Sequence, residues 1–547
     1  MKRILTLSVL LIAIFISSAY PQSKLNVKAS FNNLLRYGNG TEILNGNDNA
    51  KEYFENLADG RISINDIVFG ARYEISDPIE YGRDFKGIKK RYVEYKGSDV
   101  ISARAGDFWE AVGRGMTLNT FENRGLGFDT GIDGVRVAVN KTFFEKHPVK
   151  IKAMALAGDI EYSDNLSPQR VETYKIRDAN LEVAPFKFLN IGGNYIHATG
   201  KVPSGSDTTA ITADLPEVFV NFNTSGLQIF ASYAHKHTIT QPNTLYPVPF
   251  SSDGNGVYTS LSYSKKGFGV TVEYKDYRFD LTNPSYSGVQ RPTKLLPFQN
   301  PPTGVKEHTW TLISRNPHVV DFNDEAGGQI EFNFVPSSKL SFVLNGAVAS
   351  KHYKYIYDPI SGNYTREDRD AEFIPKFNSQ FNPFFEVYLE GEYYANETWY
   401  AKMALSYQNA ITYTYPQTLE KVISTAAPIE IHYSFNKDYT IKLISEQQLM
   451  YNSFRVERQN FFNHLISVSF VRSPNFTFTF TTEYTTDKEE PSGKTNWNEA
   501  EVSYNINSGN LVTLSYGSER GGLRCTSGIC RYVNPFDGFR LTVTSKF

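Results

Sequence analysis

Phe539-Arg-Leu-Thr-Val-Thr-Ser-Lys-Phe547 sorts its residues onto two faces. Phe539, Leu541, Val543 and Phe547 fall on one side, and Arg540, Thr542, Thr544 and Lys546 on the other. Successive side chains of a strand point to opposite faces, so this is a strand with one apolar and one polar surface. A membrane-spanning barrel needs such strands, because lipid bathes its outside and polar groups its lumen.

Gly538, Leu541, Val543 and the closing Phe547 also resemble the C-terminal signal read by the barrel assembly machinery, which becomes an expected partner. The other end of the chain agrees. Met1-Lys2-Arg3 precedes an apolar run from Ile4 to Ile16 and the small residues Ser17-Ser18-Ala19, the layout of a secretory signal peptide. That run is shorter than the roughly 20 residues a membrane helix needs. Residues 1–19 are expected to be a signal peptide, and 20–547 one exported barrel.

Composition narrows the class. No later stretch approaches the roughly 18 apolar residues of a helical span. The hydrophobic fraction of 40% and mean hydropathy of −0.38 suit a soluble protein and a barrel equally. Aromatic content separates them: 39 Phe and 35 Tyr stand against 4 Trp and 5 Met. Aromatic residues favour strands and form the interfacial girdles of barrels. A net charge of −2 argues against a general nucleic-acid binder, which would be basic. Cys525 and Cys530 bracket Thr-Ser-Gly-Ile, and in an exported chain so close a pair reads as a disulfide-closed loop.

The alternation recurs along the chain. Val218, Val220 and Phe222 oppose Glu217, Asn221 and Asn223; Phe385, Val387 and Leu389 oppose Glu386, Tyr388 and Glu390. The clearest case sets Phe476, Phe478, Phe480 and Tyr484 against Thr477, Thr479, Thr481 and Glu483. A helix would repeat its apolar positions at three and four, and these segments do not. The expected fold is all-β, a single large transmembrane antiparallel barrel of about 20–24 strands with long extracellular loops. A soluble β-sandwich or propeller also alternates, but the export signal, the aromatic terminal strand and the unbroken composition weigh against it.

Long connections are expected at Gly38–Asn49, Thr240–Asn255, Asp280–Gly328, Lys351–Asn382 and Gly517–Gly538. The stretch Arg104–Arg136 packs both charge signs among glycines. Charge on a lipid face is costly near the midplane. Arg104, Asp107, Glu110, Arg114, Glu122, Arg124, Asp129, Asp133 and Arg136 are therefore expected to project into the lumen. They would form a structural ion-pair network or a constriction. The Asp280–Gly328 loop, with Gln299-Asn-Pro-Pro-Thr303 and His308-Thr-Trp310, folds inward to narrow a pore or stays outside; its sequence favours neither.

His235 and His237 share a strand face but lack further ligands, so no metal is expected. No GxSxG, Walker A, HExxH or dinucleotide fingerprint stands out, so neither catalysis nor a cofactor is expected. The presumed wet face carries Glu217, Glu273, Glu331, Glu386, Glu390, Glu430, Glu483 and Glu501 against Lys275, Lys402, Lys442 and Arg540. That excess would favour cations or neutral polar solutes.

Arg104-Ala-Gly-Asp107-Phe, Gly113-Arg-Gly115, Asp133-Gly-Val-Arg136, Asn300-Pro-Pro-Thr303 with His308-Thr, and Cys525 to Cys530 running into the terminal Phe together resemble an uncharacterised family of exported Gram-negative outer-membrane barrels. The resemblance covers nearly the whole mature chain and implies location and fold, with no activity to carry over. The expectation is an outer-membrane channel or facilitator for polar small solutes, in contact with membrane lipid and lipopolysaccharide. A surface binder that uses the barrel as an anchor and a barrel-borne enzyme are the alternatives. Ser23–Asp59 is too short for the globular plug domain that precedes the barrel of a TonB-dependent transporter.

Overall fold

The computed structural model describes residues 26–547 except 45–46, 81, 164–170, 205–206, 244–246, 280–295, 368–371, 415–417 and 527–528. The expected signal peptide, residues 1–19, lies outside the described residues.

Twenty-four strands form one sheet in which every neighbour runs antiparallel. Phe536–Lys546 pairs with Asn510–Glu519 on one side and with Val27–Leu44 on the other, which closes the sheet on itself. The fold is an all-β, 24-stranded antiparallel barrel. Helix among the described residues amounts to Thr311–Ser314 and the 3₁₀ turns Arg124–Leu126 and Ser379–Phe381. No helix is long and apolar enough to cross a membrane.

At one end the strands are joined by short turns. Two examples are Lys266-Gly267, with Gly267 at φ +79°, and Ser508-Gly509, where the Gly509 amide donates to Asn507 Oδ1 at 2.9 Å. The connections at the other end are mostly longer. The Gly38–Asn49 loop does not exist as expected: Val27–Leu44 and Asn47–Ile64 stay paired to Leu44 opposite Asn47. Its glycines were misleading because they serve packing. A Cβ at Gly38 would fall inside the Tyr53 ring, and one at Gly40 would meet the Asp537 carbonyl. The Thr240–Asn255 connection is also shorter than expected, since the next strand begins at Phe250.

The outer face follows the alternation. Val218 is 62% exposed and its neighbour Glu217 2%. Val272, Leu344, Leu389, Leu405, Val468 and Phe480 continue this exposed apolar band. Phe144, Phe186, Trp399 and Phe435 ring the short-turn end, and Tyr195, Tyr233, Tyr407 and Tyr484 stand toward the long-loop end. Hydroxyl pairs Ser467–Thr481 and Ser469–Thr479, both 2.9 Å, occupy the opposite, inward face.

A uniformly polar lumen is the expectation the structure corrects. Inward positions on the strands from Val149–Ser163 to Phe268–Arg278 include Leu156, Ile160, Ile176, Ile196, Leu215 and Tyr277, all buried. They are covered by two connections that fold inside, Phe108–Ile132 and 296–324. Met116, Leu118, Leu296 and Phe298 from these segments are fully buried against them. A closed sheet of this strand number is roughly 45 Å across, too wide for wall side chains to fill. Apolar wall is stable inside it only where chain covers it.

Candidate functional site: a partition across the lumen

The first inward segment is clamped to the wall by charge. Arg124 Nη2 reaches Glu55 at 3.2 Å, and its Nη1 reaches Glu74 at 3.2 Å and Glu122 at 3.6 Å. Arg72 bonds Glu122 at 2.7 Å and Asp59 at 2.8 Å, and Arg36 bonds Glu55 at 3.0 Å and also pairs with Glu80. Burial disfavours the Arg124 cation, yet Glu74, Glu55 and Glu122 outweigh it and hold the guanidinium more firmly protonated than usual. Further along, Asp129 accepts from Lys90 at 2.8 Å and from Trp109 Nε1 at 3.1 Å. Burial pushes the Asp129 carboxyl up, but Lys90 and these bonds bring it below the ordinary range.

Arg124→Ala leaves Glu55 and Glu74 buried without this cation, a loss of about 3–5 kcal/mol where a buried pair is broken from one side. The expected outcome is rapid protease cleavage within residues 108–131 of a barrel that remains folded, read by limited proteolysis in detergent.

The second segment crosses from one wall to the other on carboxylates. Lys275 Nζ, fully buried, bonds Glu325 at 2.6 Å and donates to the Thr303 carbonyl, while the Tyr277 hydroxyl donates to the Pro302 carbonyl at 2.7 Å. His308 pairs with Glu386, and Trp310 Nε1 donates to the Tyr388 hydroxyl at 2.9 Å. The Thr311–Ser314 helix has no capping side chain of its own. Glu446 on the wall takes that place, accepting from the Thr311 amide at 3.0 Å and the Leu312 amide at 2.8 Å. A carboxylate at a helix N-terminus meets both free amides and the positive end of the helix dipole. Arg315 then pairs with Glu483, which also holds Arg520 at 2.9 Å.

The two segments join each other. Asn119 Nδ2 donates to the Asn300 carbonyl at 3.0 Å, and Asn300 Nδ2 donates to the Asn119 carbonyl at 2.8 Å. Gln299 Nε2 donates to the Met116 carbonyl at 3.0 Å, and the Asn119 amide to the Phe298 carbonyl at 2.8 Å. The hairpin Gly522–Thr526/Ile529–Val533, closed by the Cys525–Cys530 disulfide, touches this assembly from the long-loop end: Arg531 Nη1 donates to the Leu126 carbonyl at 3.2 Å.

The nine charged residues expected in the lumen divide into three groups. Arg104 and Arg136 face inward as cross-strand partners; Arg104 lies over the Tyr92 ring at 3.7 Å and Arg136 pairs with Glu110. Burial pushes the Glu110 carboxyl up despite Arg136. Arg114 sits at the tip of the first segment, 5.2 Å from the Phe230 ring centre, and Glu122, Arg124 and Asp129 act as described. Asp107 and Asp133 are corrections. They are cross-strand partners with the parity of exposed Val135 and Val137, so both lie on the outer side of the sheet. Asp133 pairs with Arg91 at 3.2 Å, and Asp107 accepts from the Arg91 amide at 2.7 Å. Charge is tolerated there because these positions begin and end strands at the long-loop rim, away from the midplane.

Asp107, Glu122, Arg124, Asp129 and Asp133 nonetheless converge on one cleft of about 970 Å³ at that rim, joined by Lys90 and Lys175. Sequence reasoning missed Glu55, Glu74, Glu325 and Glu446 as anchors. Only their inward parity marked them, and parity does not say what a carboxylate holds. Among the described residues no group of three or more His, Cys, Asp or Glu is arranged to hold a metal.

A family model covers residues 1–547 in full. The chain belongs to DUF6029, a family of unknown function. No curated protein matches this DUF6029 chain. Solved structures similar to it include the siderophore receptor PirA from Pseudomonas aeruginosa, at 8% identity over 96% of this chain and 82% of that one, TM-score 0.43. The FrpB iron transporter from Neisseria meningitidis matches at 10% identity over 96% and 83%, TM-score 0.44. The P pilus usher (PapC) translocation pore matches at 8% identity over 95% and 99%, TM-score 0.41. These are a receptor, a transporter and a translocation pore, and at such scores their roles are not transferred to the DUF6029 barrel.

The connection that follows Leu340–Ser350 carries a pH signal. His352, buried, bonds Asp324 at 3.0 Å and Asp276 at 3.1 Å. Burial alone would lower its pKa, but the two carboxylates raise it above the ordinary value of about 6.5. A folded value above the unfolded one gives stability that is complete below about 6.5 and lost as pH rises through the folded value. Amide exchange in residues 351–382 is expected to speed up above that pH, and His352→Asn should abolish the dependence.

Proposed function

We propose that this protein is an outer-membrane conduit for polar solutes whose resting lumen is held shut by the two inward segments. The apolar band and the two aromatic levels support a membrane location, and the short-turn end is read as periplasmic. The reciprocal Asn119–Asn300 bonds carry the reading, because they tie a segment anchored on one side of the barrel to a segment anchored on the other. Solute would enter at the charged cleft on the long-loop rim and pass when the segments part. On this reading the inward glutamates do not select ions in an open pore. Glu217, Glu386 and Glu483 hold the partition, through Thr117, His308 and Arg315.

Planar-bilayer recording tests it. The native protein is expected to show small or rare openings, and Asn119→Ala with Asn300→Ala more frequent ones. Equal, large conductance in both would remove the partition's role. Capture of a macromolecular partner by the outer loops, with no conductance in either, would favour the surface-binding alternative.

A further inference from the structure

The outer face carries a groove that neither the partition nor the conduit uses. On Val171–Phe186 the outward residues are Val171, Thr173, Lys175, Arg177, Ala179 and Leu181, each exposed, while Glu172, Tyr174, Ile176, Asp178 and Asn180 are buried. On Leu189–Ser204 the outward set is Ile191, Gly193, Tyr195, His197, Thr199 and Lys201. Registry places Leu181 beside Gly193, Ala179 beside Tyr195, Arg177 beside His197 and Thr173 beside Lys201. Small residues at 179 and 193 therefore lie between larger ones. The result is an apolar groove of about 570 Å³ lined by Ala179, Leu181, Val183, Ile191, Gly193 and Tyr195.

Toward the long-loop end the same two strands change character. Lys175, Arg177 and Lys201 are exposed there, and none forms an ion pair among the described residues. Asp214, the nearest acid on the next strand, is engaged by Tyr195 at 2.6 Å and by His197 at 2.8 Å. On the preceding strand Asp159 lies opposite Lys175 and Glu161 opposite Thr173; Glu161 is paired with Arg83 at 3.0 Å, and Asp133 beyond them with Arg91 at 3.2 Å. From the level of Lys201 to that of Arg177 is four residues, about 13 Å along the strand, more than one phosphate would span.

We propose that this face binds lipopolysaccharide, its acyl chains in the Ala179–Gly193 groove and its phosphates on Lys175, Arg177 and Lys201. Charge complementarity names an anionic head, the groove names an aliphatic tail, and the spread of cations favours a head with two separated phosphates over a single-phosphate glycerolipid. Basic side chains at a membrane surface attract anionic lipid additively. The proposal rests on the outer-membrane location; Lys175 and Lys201 also border the rim cleft read above as the solute entrance, so lipid retention and not conductance is what tests it.

Gly193 supplies a selective test. A Cβ there has the Glu217 carbonyl at 3.4 Å as its nearest neighbour, so a larger outward side chain fits and fills the groove. At Gly192, on the inner face, a Cβ would strike the Phe219 ring. Full-length protein is purified in mild detergent, washed, and assayed for retained lipopolysaccharide and for retained glycerophospholipid by native mass spectrometry. Lys175→Glu with Arg177→Glu and Lys201→Glu should lower lipopolysaccharide retention at least about tenfold. Gly193→Leu should lower it with unchanged heat-modifiable gel migration, which reports a folded barrel. Lys150→Glu, at the short-turn end of the neighbouring strand, should leave it intact. Undiminished retention in the triple variant and in Gly193→Leu overturns the site. Glycerophospholipid retained in place of lipopolysaccharide, and lost in the same variants, overturns the assigned lipid.

Discussion

Glu446→Ala combined with Glu483→Ala should open the barrel. Glu446 holds the N-terminus of the Thr311–Ser314 helix and Glu483 holds Arg315. Taking about 1.5–3 kcal/mol for each anchoring carboxylate, the range of a hydrogen bond to a charged group, removing both shifts the balance by about 3–6 kcal/mol. That is roughly a 10²–10⁴-fold change in the ratio of released to docked segment. The double variant is expected to conduct for most of the recording time and to admit polar solutes into proteoliposomes. Glu446→Gln, which keeps an acceptor oxygen, should show a smaller change. Conductance indistinguishable from the native protein would mean that the second segment does not close the lumen.

Lys275→Met should be among the most damaging single changes. Its ammonium is fully buried and its principal carboxylate partner, Glu325, is 3% exposed. After the change Glu325 keeps His318 at 3.0 Å and the Asp321 amide at 2.9 Å but loses the Lys275 ammonium. Breaking a buried pair from one side costs about 3–5 kcal/mol, whereas replacing both partners by apolar residues of similar volume is often neutral. Urea unfolding in detergent, followed by Trp fluorescence, should show the single variant destabilised by that amount. Lys275→Met with Glu325→Met should recover most of it. A double variant no better than the single one would show that the Thr303 and His318 contacts, and not the ion pair, stabilise this corner.

Sequence made the wall legible and the contents of the lumen obscure, for a physical reason. Alternation such as Phe476-Thr-Phe-Thr-Phe480 reports which face meets a different medium, and lipid on one side makes that contrast steep. It placed Val218 outside and Glu217 inside correctly. The same rule, applied to Asp133 two residues before Val135, puts that aspartate outside, and its charge alone had suggested the lumen. Where chain folds back inside, inward positions turn apolar, as at Ile176 among the residues covered by the two segments, and the wet face no longer reads as polar. Nothing local in Pro301-Pro302-Thr303 says whether a loop turns in or out. That is decided by buried partners far away in sequence, Lys275 and Tyr277. Glu446 is the extreme case: an inward glutamate on an ordinary strand, whose role depends on a helix over 130 residues earlier.

The account stands on which side of the sheet meets hydrocarbon and what fills the other. Single cysteines at Val218, Phe480, Glu217 and Met116, each carrying a spin label in lipid vesicles, measure this directly; the paired Cys525 and Cys530 do not compete for the label. At Val218 and Phe480 the label should be relaxed strongly by oxygen, which concentrates in lipid, and weakly by a water-soluble nickel chelate. At Glu217 and Met116 it should be immobilised and shielded from both. Strong nickel relaxation at Val218 and Phe480, with oxygen no more effective there than at Glu217, would contradict the fold's placement in a bilayer and every role assigned to its interior.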